Sequence, residues 1–272
     1  VSPATAARSG RVLVALVAMA GALITAFVVA PRLLANSAEV SLRDENDLRR
    51  AFRTAFVEYW HAGNREFTAD LARVVDYWYR YHFVKAVLAA MLLAVLVVLA
   101  VRLWRAFVAA GQASLSSRVG FAVSGGLATV LALCSLVLVL ANAQGAVTPF
   151  ASLLPMVLGE DAAPVEVIAQ VDRRLADGTR VPALEVMIDE FARYHEVMAA
   201  LAAVTAVLLL GACALLWRAS VGSRDRRSRR VLAWFGALSA LFALVMVVVA
   251  VANTTNASNP VPGLAALFTD GW

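Results

Sequence analysis

Charge is what this chain has least of: Asp, Glu, Lys and Arg make up 16% of its 272 residues, against about 25% in a soluble domain. That shortage excludes a water-soluble enzyme. Lysine is nearly missing, with Lys85 standing alone among arginines. Cysteine occurs only as Cys134 and Cys213, each inside an apolar run. Counted from the ends of those runs, the two differ in depth by about 16 Å at about 1.5 Å of rise per residue. A shared disulfide or metal is excluded by that gap, and both read as buried apolar thiols. The loops contain no cysteine, so they are held without disulfides. Also missing are a phosphate-binding glycine loop, an HExxH, a CxxC and a G-x-S-x-G elbow, which removes the common soluble-enzyme chemistries.

Apolar residues take the place of charge, at 61% of the chain and a mean hydropathy of +0.76. They gather into five runs, 12–34, 83–101, 119–142, 197–216 and 231–252. A run of about 20 residues spans the roughly 30 Å hydrocarbon core of a bilayer. The first run follows Arg8 and Arg11 like a signal peptide, yet it is longer than a signal h-region and no A-x-A site follows it, so an uncleaved anchor is expected. Of the charged residues, Arg32 and Lys85 fall inside the five runs and Glu196 just before the fourth, and all three lie near a run's end. Pumps and coupled transporters place such groups at mid-depth, so this absence weighs against them. Scattered polarity (Thr25, Ser124, Thr129, Ser135, Thr205 and Ser239) suffices for helix-to-helix hydrogen bonds, and Gly125-Gly126 permits close helix approach.

The net charge of +5 has an uneven distribution. The N-terminus and the 102–118 and 217–230 connections hold eleven arginines opposed by Asp225 alone, whereas 35–82 and 143–195 each hold eight acids. The positive-inside rule then puts the N-terminus in the cytoplasm and the residues after Ala252 outside, in a bacterial plasma membrane. The pI near 9.8 reports orientation, and no nucleic-acid partner is expected. The Arg224–Arg230 cluster suits anionic lipid or a cytosolic partner, but topology already accounts for it.

The chain also repeats itself. Asp76 to His82 aligns with Asp189 to His195 at a spacing of 113, and Leu103-Trp104-Arg105 aligns with Leu216-Trp217-Arg218 at the same spacing. Downstream the spacing is 111: Ala141-Asn142 matches Ala252-Asn253, and Pro149 matches Pro260. The expected fold is therefore all-α and polytopic, with five transmembrane helices, a tandem parallel helix-pair repeat and an extracytoplasmic helical cap. Its segments are an anchor span (1–34), a first repeat (35–150) and a second (151–272). In the first outer loop Leu48, Phe52, Ala55, Phe56, Tyr59 and Trp60 form a helical stripe, with Arg49, Arg50, Arg53 and Glu58 off it and a C-cap at Gly63. A second helix is expected from about Asn64. In the other loop Pro164 suits a helix start, Val165, Ile168, Val171 and Leu175 form the stripe, Asp177-Gly178 stops it and Pro182 restarts the chain.

Candidate chemistry sits at the outer boundary. His82 and His195 occupy equivalent places and can be read as axial ligands to haem b or as copper or zinc ligands, with Arg80 and Arg193 placed for propionates. They can equally be read as part of an interfacial anchor or of a quinone or lipid-headgroup site. The anchor reading takes in Tyr77, Trp78, Tyr81 and Tyr194, with Trp104 and Trp217 at the other boundary. Asp76–Arg80 and Asp189–Arg193 are i,i+4 pairs. Asp70, Asp76, Asp189 and Glu190 read better as solvated helix-face charges than as an acid–base pair, and His61 as a helix-end residue. Asn253-Thr254-Thr255 and Asn256-Ala257-Ser258 fit the glycosylation pattern, although a composition rich in Ala, Val and Arg suits a high-GC bacterium.

The Asp…Arg-Tyr-His repeat, the Leu-Trp-Arg exits and the Ala-Asn…Pro segments together resemble an uncharacterised five-span integral membrane protein family of actinobacteria, over nearly the whole chain. That resemblance implies the five-span fold and brings no activity or catalytic residue with it. A lesser resemblance is to the five-span, cytochrome-b-like membrane anchors of succinate dehydrogenase, and there only His82 and His195 have a counterpart role. The expected function is a non-catalytic accessory or assembly subunit, or scaffold, of a plasma-membrane complex, with no required cofactor. It would bind membrane lipid, and a protein partner or a second copy through the cap. A haem- or quinone-binding redox subunit is the alternative. A transporter or lipid-handling protein is the third reading, which requires a cavity between the repeats.

Overall fold

The computed structural model describes residues 3–36, 42–110, 114–158 and 165–270. Among them the secondary structure is helical, and five helices are long and apolar enough to cross a membrane. Of these, α1 (Pro3–Ala35) contributes Gly10–Ala35 as its span; the other four are α3 (Ala69–Ala109), α4 (Leu115–Val147), α7 (Pro182–Gly222) and α8 (Arg226–Ser258). Short helices fill the rest: α2 (Glu45–Ala62), α5 (Pro149–Leu153) followed by a 3-10 turn, α6 (Val165–Asp177) and α9 (Pro260–Asp270). These features define a multi-pass, all-α membrane protein.

The helices outrun the apolar stretches that mark them. α3 starts 14 residues before the run at 83–101, and α7 starts 15 before the run at 197–216. Once nucleated, a helix adds a hydrogen bond per residue until a breaker stops it, and neither outer extension contains Gly or Pro after its first residue. Pro31, despite its lost N–H, lies within α1. The expected helix start near Asn64 falls at Ala69, where Thr68 Oγ1 accepts the Leu71 N–H at 3.4 Å. Pro164, the expected start of α6, lies outside the described residues. Asn253 to Ser258, expected in a tail, are the last turns of α8.

Helix boundaries carry the same offsets as the sequence. α3 and α7 are both 41 residues long with both ends 113 apart, and α4 and α8 are both 33 residues long with both ends 111 apart. The length difference falls in the link between paired helices. α5 and α9 then begin at Pro149 and Pro260.

The chain divides into two compact units that cut across the repeat, because each long helix contributes to both. Unit 1 comprises Val1–Val29, Lys85–Ala141 and Val204–Met246. Its core joins Leu16, Ala20 and Leu23 of α1 to Leu92, Leu96, Leu99 and Leu103 of α3 and Ala128 and Ala132 of α4. Lys85, the lone lysine, sits over the Phe27 ring at 4.7 Å, a cation–π contact that shelters its charge.

Unit 2 comprises Ala30–Val84, Asn142–Ala203 and Val247–Trp272, and it packs like a soluble domain. Phe52, Phe56, Tyr59, Phe150, Leu71, Leu154, Leu184, Met187 and Leu264 are fully buried in one cluster. Asp44 caps α2 by accepting the Asp47 N–H at 2.8 Å, and Gly63 closes it at a φ of 66°, the left-handed geometry glycine supplies. Two expectations change here. Arg53 is only 7% exposed, because its Nε donates to the Met156 carbonyl at 3.0 Å and Nη2 to the Leu158 carbonyl at 2.5 Å. The carbonyls satisfy the charged head while its stem packs in the core. The α6 stripe is Val167, Val171 and Leu175, with Val165 exposed; a strict i,i+4 ladder faces the core.

Tyr59 is buried, and its hydroxyl finds no hydrogen-bond partner. Burial pushes its pKa up to about 12, against the pull of Arg65. The neutral form is thus favoured in the folded state, so stability is held below pH 10 and lost as pH rises toward 12. Tyr59→Phe is expected to stabilise by about 1 kcal/mol at pH 7 and to flatten the fall between pH 10 and 12. Thermal unfolding in mild detergent at both pH values checks this.

Candidate functional site

The repeated histidines lie in unit 2, and each is held by the asparagine of its own helix pair. His82 Nδ1 is 3.0 Å from Asn142 Oδ1, and His195 Nδ1 is 2.8 Å from Asn253 Oδ1. The asparagine orientation is set in the second pair, where Asn253 Nδ2 donates to the Val249 carbonyl at 2.8 Å. Oδ1 therefore faces the ring, and Nδ1 donates its proton to it. His195 is only 5% exposed, and its Nε2 has no hydrogen-bond partner.

The surroundings repeat as well. Trp78 meets His82 edge-on at 4.4 Å, and Phe191 meets His195 edge-on at 4.7 Å. Tyr81 and Tyr194 close the other side, at 5.6 and 5.5 Å. Trp78 Nε1 donates to Ser152 Oγ at 2.8 Å. At the equivalent place Gly263 lies under Phe191, where a Cβ would stand 3.1 Å from Cε1. The two copies are tied by Gln144, whose Nε2 donates to the Tyr194 carbonyl at 2.9 Å, and by Trp60 Nε1 donating to Gln170 at 3.0 Å.

The remaining candidates fall as follows. Arg80 pairs with Asp76 as expected. Asp189 instead meets Arg65 at 3.2 Å, beside Glu185 at 2.6 Å, while Arg193 stands 3.8 Å from Glu190. Arg65 comes from the α2–α3 connection, so sequence spacing along α7 could not reveal it. Tyr77 is buried in the unit 2 core rather than facing lipid. Its ring and that of Trp78 both stack on Tyr81, at 6.3 and 5.2 Å.

Chemically, in the second pair, an Nδ1–H donated to Asn253 and an Nε2 without a hydrogen-bond partner suit a metal-ligating imidazole. A Cβ on Gly145 would lie 2.8 Å from His82 Nδ1, so the α4 backbone already presses on that ring. A cavity of about 130 Å³ in unit 2 is lined by Ala151, Ser152, Pro155, Phe191 and Tyr194, and by neither histidine. No group of three or more His, Cys, Asp or Glu placed to hold a metal occurs among the described residues. The arrangement is one of interior packing: an aromatic edge, a tyrosine and an asparagine clamp each ring.

Unit 1 contains a counterpart motif. Trp104 packs on Gly125, where a Cβ would stand 3.1 Å from the indole, and its Nε1 donates to Thr129 Oγ1 at 3.2 Å. Trp217 lies near Gly236, with the closest indole atom 3.9 Å from an added Cβ, and is itself 58% exposed. Of the expected close-approach glycines, only Gly125 has a neighbour; nothing lies within 4 Å of a Cβ on Gly126.

No protein-family model, curated protein or solved structure matches the chain.

Gly145→Ala is expected to lower stability by about 1–3 kcal/mol, because the His82 ring is held on both sides and cannot yield. Gly126→Ala should be neutral, and the difference in unfolding temperature between the two variants reads the effect. Asn253→Ala should lose about 1–2 kcal/mol by leaving the His195 donor unpaired. The paired change of Asn253→Leu with His195→Phe should lose less than the sum of its single changes, a coupling that a double-mutant cycle measures.

Proposed function

We propose that this chain is a non-catalytic accessory or assembly subunit, or scaffold, of a plasma-membrane complex, and that unit 2 is the part that binds a partner. One observation carries the reading: the polar side chains able to do chemistry are occupied in holding helices together. Arg53 is spent on two carbonyls, Arg65 on two carboxylates, and His82 and His195 on an asparagine each. An active site needs an acid, a base or a nucleophile converging on an open cavity; this unit uses such groups as ties. The sparse ionisable content of the spans supports the same reading.

Redox is the second reading, favoured by the buried, unpartnered His195 Nε2 and opposed by the packing against both rings. A visible spectrum of the purified protein separates the two. A Soret band would establish haem and overturn the scaffold reading.

Native mass spectrometry after extraction in mild detergent should find a stoichiometric partner or a homo-oligomer. A lone monodisperse monomer would sink the proposal. The arginine distribution supports an extracytoplasmic position for unit 2. A Glu45→Cys variant should therefore react with an impermeant maleimide on intact cells, while Ser223→Cys should react only after lysis.

A further inference from the structure

Unit 1 contains a cavity of about 860 Å³, walled by α3, α4, α7 and α8 and so by both helix pairs. Its walls are apolar along most of their length, with Leu93, Leu136 and Phe242 at one end. Arg105 and Ser228 lie at the other end. From Leu93 to Arg105, α3 rises about 18 Å, slightly more than half of the roughly 30 Å hydrocarbon core. The cavity is thus one leaflet deep, apolar toward the bilayer centre and basic at its mouth. An apolar lining of this kind favours hydrocarbon over water, and a chain seated on it gains dispersion contacts.

The charge at the mouth is unbalanced. The ion pairs between described residues all fall in unit 2, and the arginines at this end of unit 1 have no carboxylate partner among the described residues. Arg227 lies over the Phe107 ring at 5.6 Å, and its buried Nη1 lacks an acceptor. The acid nearby, Asp225, accepts the Ser228 N–H at 2.8 Å and the Ser228 hydroxyl at 2.7 Å. These hydrogen bonds, with the neighbouring Arg227 charge after them, hold its carboxyl below the usual range, and they commit it to capping α8.

We propose that this cavity binds one phospholipid with an anionic headgroup, its acyl chain between the two helix pairs and its phosphate at Arg105. Tail and head fit different ends of the site: the apolar walls accept any acyl chain, and the Arg105 guanidinium selects the anionic head. This is independent of the scaffold reading, since it concerns unit 1 and requires no protein partner.

The test is native mass spectrometry of the full chain in detergent with phosphatidylglycerol or phosphatidylcholine of identical acyl chains. The expected result is one phosphatidylglycerol retained per chain, at least tenfold over phosphatidylcholine, and not displaced by inorganic phosphate. Arg105→Gln, an exposed change that leaves the fold intact, should reduce the headgroup preference several-fold. Ala212→Phe, which puts a ring into the cavity, should abolish retention of both lipids. Equal retention of the two lipids by the unaltered chain would overturn the proposal, as would retention unchanged in Arg105→Gln. Displacement by phosphate alone would reduce the site to an anion site and overturn it too. If Ala212→Phe fails to fold, the Arg105→Gln comparison still decides.

Discussion

Hydrocarbon offers no partner for a backbone N–H or C=O, and the rest of this structure follows from that. Each spanning segment must satisfy its own backbone, so it must be a helix. A helix with no breaker does not end where the lipid-compatible residues end. α3 and α7 therefore carry on, with their ladders intact, into a region where their side chains turn amphipathic. There they serve as walls of an aqueous-type core that the short helices complete. One continuous hydrogen-bond ladder thus serves two solvents, and the side chains alone register the change.

The two units solve different packing problems. In unit 2 water supplies the driving force, and burying aromatic rings against helices stabilises it as in any soluble domain. In unit 1 lipid is as apolar as leucine, so helices adhere only through close fit and interhelical hydrogen bonds. Trp104 on Gly125 and its bond to Thr129 are of that kind. The leucine-rich seam of α1 with α3 and α4 is another. Between the first helix pair and the second, Trp104 meets the Phe235 ring edge-on at 5.4 Å, and the apolar cavity remains beside that contact. The contrast explains why buried polar ties concentrate in unit 2 and open volume in unit 1.

The spans, the repeat and the caps were legible in the sequence because each has a local signature: an apolar run, a recurring spacing, a glycine after the last helical turn. What was not legible depends on residues far apart. The burial of Arg53 requires two carbonyls more than a hundred positions away. Asp189 looked committed to Arg193 by helical spacing, yet Arg65 lies closer in space. The histidines stood out as a pair, and Asn142 and Asn253 were visible as another pair. Only coordinates join one set to the other, because the helices that bear them meet far from any shared stretch of chain. Segment boundaries read along the sequence also differ from the compact units, since long helices belong to both.

The substitution of Trp78 and Ser152 by Phe191 and Gly263 in the second copy has a consequence for how freely the two halves can change. One copy has a large ring with a hydroxyl that its indole can reach; the other lacks the indole nitrogen and the hydroxyl together, and its ring lies against the glycine. Neither change alone is neutral, because a serine beneath phenylalanine would crowd the ring and a glycine beneath tryptophan would strand its donor. The copies therefore represent two internally consistent answers to one packing problem, and exchanging single residues between them would combine the faults of each.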